Sequence, residues 1–530
     1  CMVANTTGTL NTAVGSRSLD ANTTANNNTA IGYAALGSNT TGASNTAIGM
    51  GAMNDNVSGT ENTAVGVSAL YANTASYNTG VGRLALRHNT SGVDNVAVGW
   101  SALSANTTGN DNVAVGKQAL ITNSTGSDNT ALGDRALQAN TTASNNTAVG
   151  KDALYANTTG TRNVAVGKDS MNSNTTGVQN TAAGTNSLAS NTTGSYNTFI
   201  GDSCGDANTT ADDNTGIGQN VLTNNTTGSL NTAFVRQGMQ MNIVGSRNTS
   251  VGRRSVLSNT ASDHVAIGYK ALDQNTSGSN NTAVGTECME ACTTGEANVA
   301  VGYRALDALT TGIRSTAVGQ NALTVATTGN HNTAVGYDAL KDVTTGFYNT
   351  GVGPNKPGQG VTTGSFNMYL GYLTYASAGS VTGEMVLGSG NNAFQGKGTN
   401  TGFISPNAGG VYQGNNSSSW STTSDKRIKK NIEDNTTGLD AINQIRVRNF
   451  EYRTEDEITE VPSSAAIDKE GVQLGVIAQE IETILPDVVT EESTGVKSVN
   501  PDNLTWYLVN AVKELSTQVE ELKAKLNEGE

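Results

Sequence analysis

The sequence predicts a mostly β protein: a parallel β-solenoid of 17-residue repeats over residues 1–384, a glycine- and asparagine-rich neck at 385–423, and a small α+β domain at 424–530 ending in a coiled coil at 504–526. Three observations point there. From Asn11 the chain reads NTAVGSRSLDANTTANN, then NTAIGYAALGSNTTGAS, then NTAIGMGAMNDNVSGTE, and 22 such units, a few varying by one residue, run to about residue 384. The composition, 36 % hydrophobic and 5 % aromatic with 62 glycines, is too poor in large apolar side chains for an ordinary core in a chain of 530 residues. Its apolar positions are nevertheless strictly spaced, which disordered chains rarely show. Finally, TTSDKRIKKNI, residues 422–432, places five charged side chains in eleven residues directly after the repeats.

The unit reads N-T-A-V-G-x-x-A-L-x-x-N-T-T-G-x-x, counted here as positions 1 to 17. Seventeen residues are too few for two helices and their turns but accommodate two short extended segments joined by corners. Glycine at position 5 suits a corner with positive φ or close backbone approach, and the N-T-T-G run suits the second corner. Each unit is then one coil. Stacking puts Val14, Ile31, Ile48 and Val65 in one apolar ladder and Leu19, Leu36, Met53 and Leu70 in another. At a rise of ~4.8 Å per coil the solenoid would be roughly 105 Å long. Side chains as small as Ala and Val leave a thin core, so burial is expected to come also from packing several chains together.

The formal charge of −14 is uneven: residues 424–530 carry 12 Lys/Arg against 22 Asp/Glu, and the repeats are nearly neutral. No basic face exists to neutralise phosphates, so nucleic acid is not expected as a partner. No stretch of 18 apolar residues and no signal peptide is present, so membrane insertion is not expected. The chain opens inside a unit, so either an upstream segment or a partner that caps the exposed first coil is expected.

Within the repeats several features have plain readings. Asn22-Thr-Thr and Asn39-Thr-Thr are formal glycosylation sequons, but asparagines stacked in a hydrogen-bonded ladder are the expected reading. Cys204 and Cys288 stand at position 8 as small buried side chains, as Cys1 would in a preceding unit. Cys288-x-x-x-Cys292 has no second Cys/His pair nearby, so neither a metal, a disulfide nor a cofactor is called for. The unit at Asn231, NTAFVRQGMQMNIVGSR, replaces the corner glycine by Val235, which would make it a bulge or a tolerated defect. Receptor contacts could lie there or at exposed positions such as Tyr33, Trp100, Lys117 and Tyr155.

After the neck, RNFEY (448–452) reads as a strand and 455–460 as an acidic loop. In GVQLGVIAQEIETILPDVV, residues Val476, Ile477, Ile481, Ile484 and Leu485 fall on one helical face stopped by Pro486. Along 504–526, Leu508, Leu515 and Leu522 recur every seven residues with Val512, Val519 and Leu526 between them, the pattern of a three-heptad coiled coil; a helix packed on its own domain is the alternative.

Two resemblances follow from these residues. The N-T/V-A-V/I-G signature over 11–384 is similar to the head repeats of trimeric autotransporter adhesins and to phage tail-fibre repeats, which implies a homotrimer. Residues 424–530, through Ser424-Asp425-Lys426-Arg427-Ile428-Lys429-Lys430-Asn431-Ile432, then Gly475-Val476-Ile477-Ala478-Gln479-Glu480, Pro486 and the terminal coil, resemble the C-terminal intramolecular chaperone of endosialidase-type phage tailspikes and tail fibres. That family's domain trimerises, guides folding of the fibre before it and cuts itself off. The resemblance implies Ser424 as nucleophile, Lys429 as base and Thr423–Ser424 as the cleavage junction of a single-turnover serine peptidase, with Asp425, Arg427 and Asn431 as supporting motif residues.

The chemistry is coherent without the family. A serine hydroxyl needs a base at neutral pH, and all three histidines, His88, His264 and His331, lie in the repeats, which leaves lysine. Burial and the neighbouring Lys426, Arg427 and Lys430 would favour its neutral form. Residues i and i+5 share no face of a strand or helix, so Ser424 and Lys429 can meet only across a bend or between chains. Nearly identical coils also permit register slips of a whole unit, which a strong C-terminal trimer would prevent. The expected function is a trimeric fibre of a phage tail or related particle that attaches to a host-surface glycan or protein receptor, located on the virion or an extracellular surface. A bacterial surface adhesin with the same chaperone is the alternative. An enzyme acting on polysaccharide finds no paired-carboxylate site.

Overall fold

Each Thr-Ala-Val triplet is a three-residue strand whose side chains alternate: position 3 points in, positions 2 and 4 point out. The computed structural model describes residues 1–406, 411–414, 420–422, 424–461, 467, 469–492 and 495–528. Successive strands pair parallel at the repeat spacing, Thr12 with Thr29 and Val14 with Ile31, and this register continues coil after coil to the strand Gly402–Pro406. Among the described residues the resulting sheet has 26 strands, the last two, Val411–Gln413 and Trp420–Thr422, running antiparallel.

The second apolar segment departs from expectation. Positions 8 and 9 are not extended, because positions 7 and 9 both take the left-handed conformation; in one coil Gln118 has φ 58° and Leu120 φ 51°. Each such non-glycine residue is strained by ~1 kcal/mol. The curl turns the leucine inward, and its backbone N–H still reaches the next coil, Leu120 to Ala136 O at 3.0 Å. Ala114, Ala119 and Leu120 and their equivalents are wholly buried and form the core.

The position-4 ladder is also corrected. Val14, Ile31, Ile48 and Val65 do stack, but on the outside: Val14 is 55 % and Ile31 38 % exposed. Strand alternation forces this, since the alanine between the two outward residues already fills the interior. Every coil from Val14 to Ile404 keeps an apolar residue there, a continuous apolar column on the sheet face.

The corner glycine behaves as expected. Gly116 has φ +137°, and a Cβ on it would sit 2.3 Å from Gly133 O. Buried asparagines form two columns. At position 12, Asn39 Nδ2 donates to Asn22 Oδ1 (3.1 Å) and Gly42 O (2.9 Å); at position 1, Asn28 Oδ1 accepts the Asn45 N–H (2.9 Å). Asn22 and Asn39 are fully buried, so their sequons are ladder residues. From Cys292 the position-12 column turns apolar through Leu309, Ala326, Val343 and Val361.

The Asn231 unit is a tolerated defect in the path: Val235 takes φ 79° and the strand register is unbroken on both sides. Cys204, Cys288 and Cys292 are buried thiols, pushed up by burial to about 12, 12 and 11, while Cys1 is exposed.

The chain divides into two compact units, Cys1–Thr423 and Ser424–Glu530. In the second, α1 (Leu439–Gln444), α2 (Ala478–Glu482) and α3 (Pro501–Asn527) surround a small core of Ile481, Leu485, Val488 and Tyr507. The strand Arg448–Phe450 pairs antiparallel with Gln473–Gly475. The α2 helix is shorter than its apolar pattern suggested, because Gln473–Gly475 is claimed by the hairpin and Val476–Ile477 only lead into the helix. Helix α3 packs on its own unit through Leu504, Tyr507 and Ala511, whereas Leu508, Val512, Leu515, Val519, Leu522 and Leu526 are all exposed. Among the described residues no helix is long and apolar enough to cross a membrane.

Candidate functional site

Ser424 opens the second unit, and the five residues after it form a tight bend. The Asp425 carboxylate accepts the Arg427 N–H at 2.8 Å and so caps a single 3-10 turn, Lys426–Ile428. The same carboxylate is forked by the Arg427 guanidinium, with Nη2 at 2.6 Å and Nε at 3.1 Å. Those bonds hold the Asp425 carboxyl below the usual carboxylate range.

The turn reverses the chain far enough that Lys429 Nζ donates to Ser424 Oγ at 2.7 Å. Two side chains five residues apart thus meet across a bend, within one chain. Asn431, at φ 54°, takes a left-handed conformation that asparagine tolerates better than most residues. Of the residues expected at this site, Ser424, Lys429, Asp425 and Arg427 are brought together, and Asn431 shapes the exit. Thr423, on the acyl side of the expected junction, lies outside the described residues.

From Lys426 to Thr437 every residue is exposed in the single chain, as are Ser424 and Lys429. Ile428 and Ile432, four residues apart, are 69 % and 62 % exposed.

The sequence did not reveal how this motif is tied to the long helix. Asn510 Nδ2 on α3 donates to Asn435 O (2.9 Å) and Thr437 O (3.1 Å), and Glu514 Oε2 accepts the Leu439 N–H (2.8 Å). Gly438, which precedes α1, has no side chain to cap that helix, so a carboxylate 75 residues away does so. A Cβ on Gly438 would lie 2.4 Å from Glu514 Oε1, so the glycine makes room for the cap. The signal in the sequence was the uncapped T-T-G before an amphipathic turn. In the GVIAQE segment, Glu480 pairs with Arg448 (2.7 Å), which holds its carboxyl below the usual range.

Residues 424–490 match the family model described as chaperone of endosialidase. The match starts at Ser424 and spans the capped turn, the Arg448 strand, GVIAQE and Pro486. The chain thus joins a parallel β-solenoid of 17-residue repeats in one unit to a region similar to the chaperone of endosialidase in the other.

Proposed function

We propose that three copies of this chain form a fibre of a phage tail or related particle, located on the virion or an extracellular surface and engaging a host-surface receptor. The C-terminal unit templates the trimer and then releases itself by cutting before Ser424. The observation that carries this reading is a coincidence of place: the serine whose hydroxyl accepts from Lys429 at 2.7 Å is also the first residue of the second compact unit. A nucleophile at that point severs one unit from the other.

Assembly is supported by two unpartnered apolar surfaces, the outward position-4 column on the solenoid and the exposed heptad face of α3. Single chains expose both, and second copies of each, in the same register, would cover them. The same covering would desolvate Lys429 beside Lys426 and Lys430 and favour its neutral amine.

In the cut, Lys429 takes the Ser424 hydroxyl proton as Oγ attacks the Thr423 carbonyl carbon. The Thr423–Ser424 C–N bond breaks, the proton passes to the departing Ser424 amine, and an ester links Thr423 to Ser424 Oγ. Water then hydrolyses the ester to a Thr423 carboxylate and the free hydroxyl. Mass spectrometry of assembled protein is expected to find a fragment Ser424–Glu530, absent from Ser424→Ala and Lys429→Ala although both still trimerise. Because the pair meets within one chain, co-expressing these two variants is expected to restore no cleavage. Wild-type rates of cleavage in Lys429→Ala would remove lysine as the base.

A further inference from the structure

In the unit starting at Asn231 the corner glycine is replaced by Val235, which sits at φ 79°, a conformation that strains a β-branched residue. The backbone bonding beside it is interrupted. In the coils on either side, the position-7 N–H reaches the position-6 carbonyl of the coil before: Gln237 N–H to Gln219 O and Lys270 N–H to Arg253 O, both at 3.1 Å. Between them the equivalent bond, Arg254 N–H to Arg236 O, is not formed. The buried Nε–H of Arg254 has no partner either, although its Nη2 reaches Asp273 Oδ2 at 3.0 Å. Two donors on one residue are thus unpaired, a cost that an added acceptor would remove.

Positive charge collects at the same place. Residues 231–263 hold four arginines against one acid, in a repeat region that as a whole is nearly neutral. Asp263 forks Arg247 (2.7 and 2.9 Å) and Asp273 pairs with Arg254, which leaves Arg236 and Arg253 without a carboxylate partner among the described residues. Both stand at position 6 of successive coils, about 4.8 Å apart along the stack, and both are exposed. Like charges so placed repel, and nothing within the chain offsets them. The open rung lies in the backbone of these arginines themselves, since Arg236 supplies its carbonyl and Arg254 its N–H.

We propose that this corner binds the phosphate group of a phosphorylated surface saccharide. The guanidinium groups of Arg236 and Arg253 and the Arg254 N–H supply three donor groups, which match the three free oxygens of a phosphate monoester better than the two of a carboxylate. The anion offsets the repulsion between the arginines and gives the orphan N–H an acceptor. Val235 and Tyr269, on the coils of Arg236 and of Lys270, are 49 % and 40 % exposed and give the attached sugar an apolar surface to rest on. This site rests on the receptor-engaging part of the proposed function and gives that receptor a chemical class.

The test uses the full chain on a printed array of phosphorylated oligosaccharides, their unphosphorylated parents and carboxylated ones, with phosphatidylglycerol vesicles as a separate arm. Two variants probe the site: the double variant Arg236→Gln/Arg253→Gln removes the free charges, and Val235→Gly restores the corner glycine and lets the rung close. Arg83→Gln is the control, an exposed arginine of the same column whose carbonyl keeps its rung, Ser101 N–H to Arg83 O at 2.9 Å. Wild type and the control are expected to prefer the phosphorylated saccharides to their parents. The double variant should bind them at least tenfold more weakly with unchanged thermal melting, and Val235→Gly several-fold more weakly with raised melting. Unchanged binding by both variants overturns the site while leaving receptor engagement standing elsewhere on the fibre, and a loss confined to the double variant overturns the part of the open rung. Equal or tighter binding of carboxylated saccharides, tighter binding of the vesicles, or no binding at all overturns the proposal. Trimer formation and self-cleavage, read on gels of the same samples, test the rest of the proposed function separately.

Discussion

Lys429 reaches Ser424 because Asp425 and Arg427 hold the turn between them, so the reach of the proposed catalytic pair depends on a cap and a fork that touch neither Ser424 Oγ nor Lys429 Nζ. Asp425→Asn keeps an oxygen to cap the turn but loses the charge that grips Arg427. Cleavage of assembled protein is expected to slow several-fold in Asp425→Asn, and by about 100-fold in Asp425→Ala, where both contacts go and the pair is misplaced. Time courses on denaturing gels measure this. A second residue-scale consequence concerns His264, which replaces an asparagine of the position-1 column. Its Nδ1 accepts the Asn281 N–H at 3.3 Å, Nε2 has no hydrogen-bond partner, and burial pushes its pKa down to about 4 against the opposing pull of the Asp263 carboxylate. The unfolded chain therefore binds the proton more tightly than the folded one. Stability is expected to fall as pH drops from about 6.5 towards 4, by at most ~3 kcal/mol per chain. Melting curves from pH 7 to 4 should show this loss in wild type and a shallower one in His264→Asn, which restores the amide column.

At the scale of one coil, the strand is only three residues long, and the remaining residues hold their place through side-chain columns and contacts with the next coil. Glycine at position 5 is fixed by backbone approach as well as by φ: in Gly116→Ala the new methyl would meet Gly133 O at 2.3 Å, and backbone cannot yield as a side-chain tip can. A loss of more than 3 kcal/mol is expected there, against 2–5 kcal/mol for the cavity left by Leu120→Ala, whose side chain is fully buried. Chemical denaturation of each variant checks both. The outward column responds differently. Replacing Val98, Val115 and Leu132 together by aspartate leaves the interior of each coil untouched, so solenoid circular dichroism should persist while lateral association over those coils is lost. Sedimentation of the assembled fibre reads that outcome, and undisturbed association would show that position 4 is not the contact between chains.

Across the whole molecule, the repeats solve stacking within a chain but not alignment between chains. Each coil presents nearly the same outward face, so a slip by one unit forfeits only terminal contacts, whereas the Ser424–Glu530 unit carries non-repeating surfaces that can set one register. Chains ending near Gly402 are expected to aggregate or form staggered multimers, while deletion of one internal unit should give a shorter, otherwise normal fibre. Electron microscopy and light scattering of the two proteins separate these results; uniform soluble trimers from the truncated chain would sink the template role.

Periodicity by itself determined the solenoid, its parallel register, the corner glycine and the change of architecture at Ser424, because a 17-residue repeat of small side chains leaves one way to bury alanine and leucine in every coil. The serine and lysine of the proposed site were read from a motif whose neighbours are all local. What the sequence left open depended on directions that spacing does not encode. Position 4 and position 9 are both apolar, yet only the left-handed residues at 7 and 9 decide that leucine turns in and valine stays out. Spacing allowed Ser424 and Lys429 to meet within a chain or between chains, and the capped turn at Asp425 brings them together within one. The Glu514 cap on α1 and the Asn510 clamp join residues that are remote in sequence. Such contacts exist only once backbones have been brought together in three dimensions, so tertiary structure alone supplied them.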